Sequence, residues 1–179
     1  TDIHIERNGG IFTLNEPIEE FVWTSSHQWL RNSWERRYRG IFKTNVVLDN
    51  IDLISGDEQR KVEIIGEAVF LRAFNYFLLY DFYGPVPLVT TSETDVTDRP
   101  SRATEQEMVS FMVAEFRDAA NVLPLTPPLD QYGRPTKGAA LTALTKLYMM
   151  LKDWENAAAT AKEVMDLGVY DLFVEGNRT

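Results

Sequence analysis

The amino-acid sequence predicts an all-α fold of antiparallel helix pairs with long irregular loops and little strand. Three observations carry that prediction. Apolar residues recur at steps of three and four over most of residues 29–167. Breakers and caps fall between those runs, at Ser55-Gly56-Asp57, Tyr83-Gly84-Pro85-Val86-Pro87, Pro124 and Gly168. Alternating segments are few and short: residues 1–20, around the turn signal Asn8-Gly9-Gly10, read as irregular or a short hairpin, and Leu88-Val89-Thr90-Thr91 extends briefly.

The first helix starts near Trp29. Trp34, Tyr38, Ile41, Asn45, Leu48 and Asp52 share one face, and Phe42 and Ile51 widen the apolar stripe. Arg36, Arg37, Arg39 and Lys43 fall mostly off it. A second helix spans about 57–82. After Val62 it is apolar on nearly every side, which predicts packing against several neighbours. Gly84 supplies its left-handed cap, and Pro85 and Pro87 prevent continuation. Ser92 to Arg102 reads as a polar loop.

Thr104 and Glu107 match a capping box, so a third helix opens there and runs to about Leu123, where Pro124 stops it. Its apolar face is Met108, Phe111, Met112, Phe116, Ala119 and Leu123. Pro127, Pro128, Gly133 and Pro135 mark the next loop. Thr136 caps a fourth helix over about 137–151, and Lys152-Asp153 turns into a fifth over about 154–167. That last pair resembles a tetratricopeptide (TPR) repeat. The first helix of the pair carries Leu144 and Tyr148, with Thr145 where such repeats prefer glycine or alanine. Ala157, Ala158, Ala159 and Ala161 are the small residues that a close helix crossing needs.

Bulk properties narrow the function. The chain has 179 residues and a formal net charge of −9, with 18 basic against 27 acidic side chains. Such a chain repels phosphate backbones and anionic lipid, which argues against a nucleic-acid partner. The basic and aromatic run Trp34-Glu35-Arg36-Arg37-Tyr38-Arg39 therefore reads as a helix with Trp34 and Tyr38 inward and arginines outward. There is no cysteine, so disulfides, thiolate metal sites and cysteine nucleophiles are excluded. The apolar stretch from Ala68 to Tyr83 is broken by Arg72, Asn75 and Asp81 and is too short to cross a bilayer.

No catalytic motif stands out. His4 and Glu6 form the H-x-E of zinc deaminases, but those enzymes also need cysteine ligands. With His4 and His27 the only histidines, a histidine-rich metal site is excluded. Acid pairs such as Glu19-Glu20 read as solvated surface, not as a glycosidase pair held across a cleft. Phosphate-binding, nucleophile-elbow and dinucleotide fingerprints are missing. The sequence implies no enzyme, no cofactor and no metal. Arg72 in an apolar helix must be paired, with Glu67, Asp81 or a carboxylate on a neighbouring helix. Asn45 reads as a hydrogen-bonded buried amide.

The second helix and its exit carry a family resemblance. Glu67-Ala68-Val69-Phe70-Leu71-Arg72-Ala73, then Gly84-Pro85-Val86-Pro87-Leu88, closely resembles the signature of the SusD/RagB family, with Glu67, Arg72, Gly84, Pro85 and Pro87 as its structural residues. Three further pieces agree in order. They are Trp34, Tyr38, Ile41 and Asn45; the helix ending Ala119-Ala120 and Leu123-Pro124, where Phe116-Arg117 replaces the usual acid-leucine pair; and Gly133-Arg134-Pro135-Thr136-Lys137-Gly138-Ala139-Ala140. Together they cover most of residues 30–170.

The resemblance implies one helical, TPR-like module over residues 1–179, the N-terminal portion of a longer protein. It implies a non-catalytic nutrient-binding lipoprotein on the outer face of a bacterial outer membrane. Such a protein presents oligosaccharide, or peptide in RagB-like members, to a SusC-like TonB-dependent transporter. The membrane link would be a lipid-bearing cysteine, which this chain lacks. The sequence opens at Thr1 without a signal peptide, as a processed form or fragment does.

Sugars pack their C–H faces on aromatic rings and give their hydroxyls to amides and carboxylates. Trp23, His27, Trp29 and Asn32 cluster ahead of the first regular helix, where family members often place part of the ligand pocket. Tyr132, in the proline-rich loop, is a second candidate. The alternatives are a TPR-type scaffold for a protein segment and a glycoside hydrolase.

Overall fold

The computed structural model describes residues 16–93, 99–127 and 129–171, and it is helical throughout its regular parts. The helices are α1 (Glu16–Glu19), α2 (Gln28–Asn50), α3 (Glu58–Tyr83), α4 (Glu105–Val122), α5 (Lys137–Met150) and α6 (Trp154–Asp166), with 3₁₀ turns at Ile51–Leu53 and Leu129–Gln131. No strand occurs among the described residues. The irregular or hairpin reading of residues 1–20 falls largely outside them.

The chain divides into two compact units, residues 1–39 and 40–179, with the boundary inside α2. In the second unit α3 packs on α4, α4 on α5, α5 on α6, and α3 also touches α5. The three-residue turn at 151–153 makes α5 and α6 antiparallel neighbours. Val69, Ala119, Ala120, Leu123, Ala140 and Leu141 form a buried cluster, with Leu48, Ile65, Phe70, Val164 and Leu167 packed against it. Tyr76, Leu79, Met108, Met112, Phe116, Leu144 and Leu147 are fully buried as well. Each such side chain contributes roughly 1.5–3 kcal/mol on removal from water.

The helix ends follow local chemistry. Thr104 accepts from the Glu107 backbone N–H, and the Glu107 carboxylate accepts from the Thr104 N–H, a complete capping box. Asp57, Thr136 and Asp153 cap α3, α5 and α6 through their side chains. Gly84 ends α3 at φ 66° and ψ −156°, a positive-φ conformation open essentially to glycine alone but not the left-handed helical one the sequence suggests. Arg102 then donates to the carbonyls of Tyr83 (3.1 Å) and Pro85 (2.7 Å), covering two acceptors at that exit. Gly138, in the first turn of α5, leaves room for Tyr170: a Cβ there would collide with the Tyr170 ring.

Three details differ from the sequence expectation. Helix α3 is not enclosed: Leu71 and Phe82 are exposed. Phe42 of α2 is also exposed, while Ile41, Thr44 and Asn45 hold the buried face. In α6 Ala157 and Thr160 are the buried residues and Ala158 and Ala159 face outward. A run of alanines cannot show its register by hydrophobicity alone.

Candidate ligand site

The first turns of α2 are built by local hydrogen bonds. Thr24 and Ser26 share a bond of 2.9 Å between their hydroxyls, and the His27 N–H donates to the Thr24 carbonyl at 3.0 Å. The Trp29 backbone N–H donates to His27 Nδ1 at 3.2 Å, so the imidazole caps the helix. Trp29 and Asn32 therefore lie inside α2, not ahead of it. Phe21, at φ 58°, turns the preceding chain and packs its ring 5.7 Å from that of Trp23.

Trp29, Asn32, Ser33, Arg36 and Arg37 line a cavity of about 160 Å³. Their spacing of three and one places all five along one side of the helix. Trp29 is 43% exposed, so its ring is both seated and accessible. Trp34 and Tyr38, 4.9 Å apart and tilted at 40°, are half-buried on another side of α2. Among the sequence candidates the structure brings Trp29 and Asn32 into this cavity. Trp23 and His27 do not line it. Arg36 and Arg37 are the residues that sequence reasoning set aside. Their common spacing with Trp29 and Asn32 was the available signal.

Tyr132 follows the 3₁₀ turn at Leu129–Gln131 and is 90% exposed. It is not among the residues of the larger groove of its own unit. That groove, about 430 Å³, runs between α3, α5 and α6 and is lined by Phe70, Phe74, Thr142, Ala143, Lys146, Val164 and Tyr170, with the start of α5. Phe70 stacks on Phe74 (5.8 Å) and Phe74 on Phe77 (6.2 Å), an aromatic row along α3. Residues at this spacing look like ordinary core in a sequence.

The signature residues form scaffold. Arg72 donates through Nε and NH2 to both oxygens of Glu115 (2.8 and 2.7 Å), and through NH1 to Asn45 Oδ1 (2.9 Å) and the Thr90 carbonyl (3.3 Å). Asn45 in turn donates to the carbonyls of Val89 and Thr91. The Tyr76 hydroxyl accepts from the Val89 N–H and donates to its carbonyl. Buried side chains thus satisfy the backbone of the segment leaving α3, in place of a strand partner. Glu67 pairs instead with Arg60 and Arg134. No group of three or more His, Cys, Asp or Glu side chains among the described residues could hold a metal ion, and His4 and Glu6 lie outside them. No described helix is long and apolar enough to cross a membrane.

Known proteins share this arrangement. The sequence profile of the SusD-like family, described as starch-binding and associating with the outer membrane, matches residues 10–149. A SusD-like protein of Formosa agariphila is 26% identical over 165 residues, covering 91% of this chain and 31% of that protein. A solved SusD-like carbohydrate-binding protein from Bacteroides fragilis superposes with a TM-score of 0.81 at 31% identity, covering 91% of this chain and 32% of its own. A laminarin-binding SusD-like protein gives a TM-score of 0.84 at 26% identity, covering 92% and 36%. The chain spans about a third of the length of these relatives. With the family profile matched over residues 10–149 and the helical fold shared, the chain belongs to the SusD-like family.

Proposed function

We propose that this chain is a non-catalytic, glycan-binding module of an outer-membrane nutrient-uptake protein, and that the α2 cavity is part of its ligand site. The carrying observation is the accessible Trp29 ring beside Asn32 and Ser33 in one cavity. A flat apolar ring takes a sugar's C–H face, and the neighbouring amide and hydroxyl take its hydroxyls. Membership of a family with carbohydrate-binding relatives supports the same reading. In this reading oligosaccharide passes to a SusC-like TonB-dependent transporter, and the protein faces outward from the outer membrane. The chain contributes a single helical module to that assembly. Trp23 and His27, in the residues leading into α2, shape the approach.

Titration calorimetry of the full chain with laminari- and malto-oligosaccharides tests this. Trp29→Ala is expected to weaken binding at least tenfold, about 1.4 kcal/mol, and Asn32→Ala less. Equal affinity in the wild type and both variants removes the site. Cleavage of the oligosaccharide would overturn the non-catalytic reading. A second reading, a TPR-type surface for a protein segment or peptide, is favoured by the apolar groove at Phe70 and Phe74. Peptide binding that is lost in Phe74→Ala and indifferent to Trp29→Ala would select it.

A further inference from the structure

The α2 cavity has a charge that a neutral glucan does not need. Between Gln28 and Arg39 the helix carries Arg31, Arg36, Arg37 and Arg39 against the single acid Glu35, in a chain whose net charge is −9. In the second unit Arg60, Arg72, Arg117 and Arg134 are each met by a carboxylate. Arg36 and Arg37 have no carboxylate partner among the described residues, and both line the cavity beside Trp29. Two adjacent guanidinium groups with no carboxylate partner among the described residues, set at an aromatic cavity, offer charge to an incoming anion. A guanidinium presents a planar fork that matches a carboxylate or sulfate with two parallel hydrogen bonds, and these are stronger than bonds to neutral hydroxyls.

We infer that this site selects acidic oligosaccharides, with Arg36 and Arg37 holding a carboxylate or sulfate group while the sugar ring lies against Trp29. The inference rests on the glycan reading of the same cavity and adds the ligand class. At about 160 Å³ the cavity is smaller than the roughly 300 Å³ at which whole small ligands begin to fit. It therefore grips one sugar unit of a longer chain, whose remaining units lie outside it. The attraction is exposed to solvent and weakens as salt shortens the Debye length.

The test is calorimetric titration of the full chain with three probes of equal length: oligogalacturonate, sulfated laminari-oligosaccharide and neutral laminari-oligosaccharide. At least one acidic probe is expected to bind about tenfold tighter than the neutral one, which corresponds to about 1.4 kcal/mol. The two acidic arms distinguish carboxylate from sulfate. The preference is expected to shrink as ionic strength rises from about 0.02 M to about 0.5 M. The Arg36→Gln/Arg37→Gln double variant is expected to bring the acidic-to-neutral ratio close to unity, with circular dichroism checking that the helices persist. If that variant does not fold, the salt dependence of the wild type decides by itself. Neutral binding without acidic preference overturns this inference and leaves the glycan reading standing. No binding of any glycan overturns both. Acidic preference that survives the double substitution, or tighter binding to phosphatidylglycerol vesicles or polyuridylate than to either acidic probe, also overturns it.

Discussion

Arg72 places a full positive charge on a helix face otherwise made of Ala68, Val69, Ala73, Tyr76 and Leu79. The charge is tolerable because Glu115 meets it with two oxygens, Asn45 and Thr90 take a further donor, and the Phe111 ring lies 5.7 Å from the guanidinium carbon. Removing one partner strands the other in a buried site. Arg72→Met is therefore expected to destabilise the fold by about 3–5 kcal/mol, and adding Glu115→Leu to recover part of that loss. Urea unfolding of the single and double variants measures it, and an unchanged midpoint for Arg72→Met refutes the account. The need for a partner was legible from the sequence, because a charge inside an apolar helix must be neutralised. Its identity was not. Of the three alternatives the sequence offers, Glu67 is held by Arg60 and Arg134, and the carboxylate on a neighbouring helix is the one that answers Arg72, as Glu115 of α4. Asn45 was legible as a buried amide, though not its grip on the backbone at Val89 and Thr91. At the cavity Trp29 and Asn32 could be singled out by chemistry. Arg36 and Arg37 were dismissed, because a charged outward face is normally just solvated.

Helix boundaries are written in residues that act within a few positions of themselves, so they were readable. The Thr104 box, the Thr136 and Asp153 caps and the Gly84 stop all sit where the sequence places them. Such a signal has a measurable weight. Thr104→Ala removes the acceptor for the Glu107 N–H and is expected to cost about 1 kcal/mol, up to roughly 2. Thermal unfolding of that variant checks the value, and a melting temperature equal to the wild type's would mean that α4 needs no cap. What failed at this scale needed information from other elements. The start of α2 was read from periodicity, near Trp29 against Gln28 in the structure, but its histidine cap was not, since histidine is not used as a cap signal. The outward turn of Ala158 and Ala159 depends on how α6 rolls against α5. The segment after Gly84 shows no ladder pattern, because its backbone partners are side chains from α2 and α3.

Across the whole molecule these local groups set the range of pH over which the fold holds. The backbone N–H of Ser92, with its hydroxyl, keeps the Asp49 carboxyl below its ordinary 3.8, and the Thr104 N–H does the same for Glu107, whose ordinary value is 4.5. Depressed carboxyls contribute stability above their ordinary values and lose it as pH falls through the lowered ones. Tyr76 and Tyr80 act at the other end. Burial pushes both phenols up from 10.0 to about 12, helped at Tyr80 by Glu105. The unfolded chain sheds those protons near pH 10 while the folded chain keeps them, so stability falls between pH 10 and about 12. Urea midpoints are expected to stay nearly level from about pH 5 to about 10 and to decline beyond both limits. Tyr76→Phe should be less stable throughout, for want of its two bonds to Val89, yet show a shallower alkaline decline. An alkaline slope as steep as the wild type's would exclude Tyr76 as a source.

The Arg72 junction also bears on the order of assembly. Its guanidinium reaches Asn45, 27 residues earlier, and Glu115, 43 residues later, whereas α5 and α6 meet across a three-residue turn. The neighbouring helix pair can close early, since its loop costs little entropy, but the junction must wait until three distant stretches arrive together. Until then the arginine opposes burial of its own helix face. The junction and the segment from Val86 to Ser92 are expected to form late, which low φ-values at Arg72 beside higher ones in α5 and α6 would show.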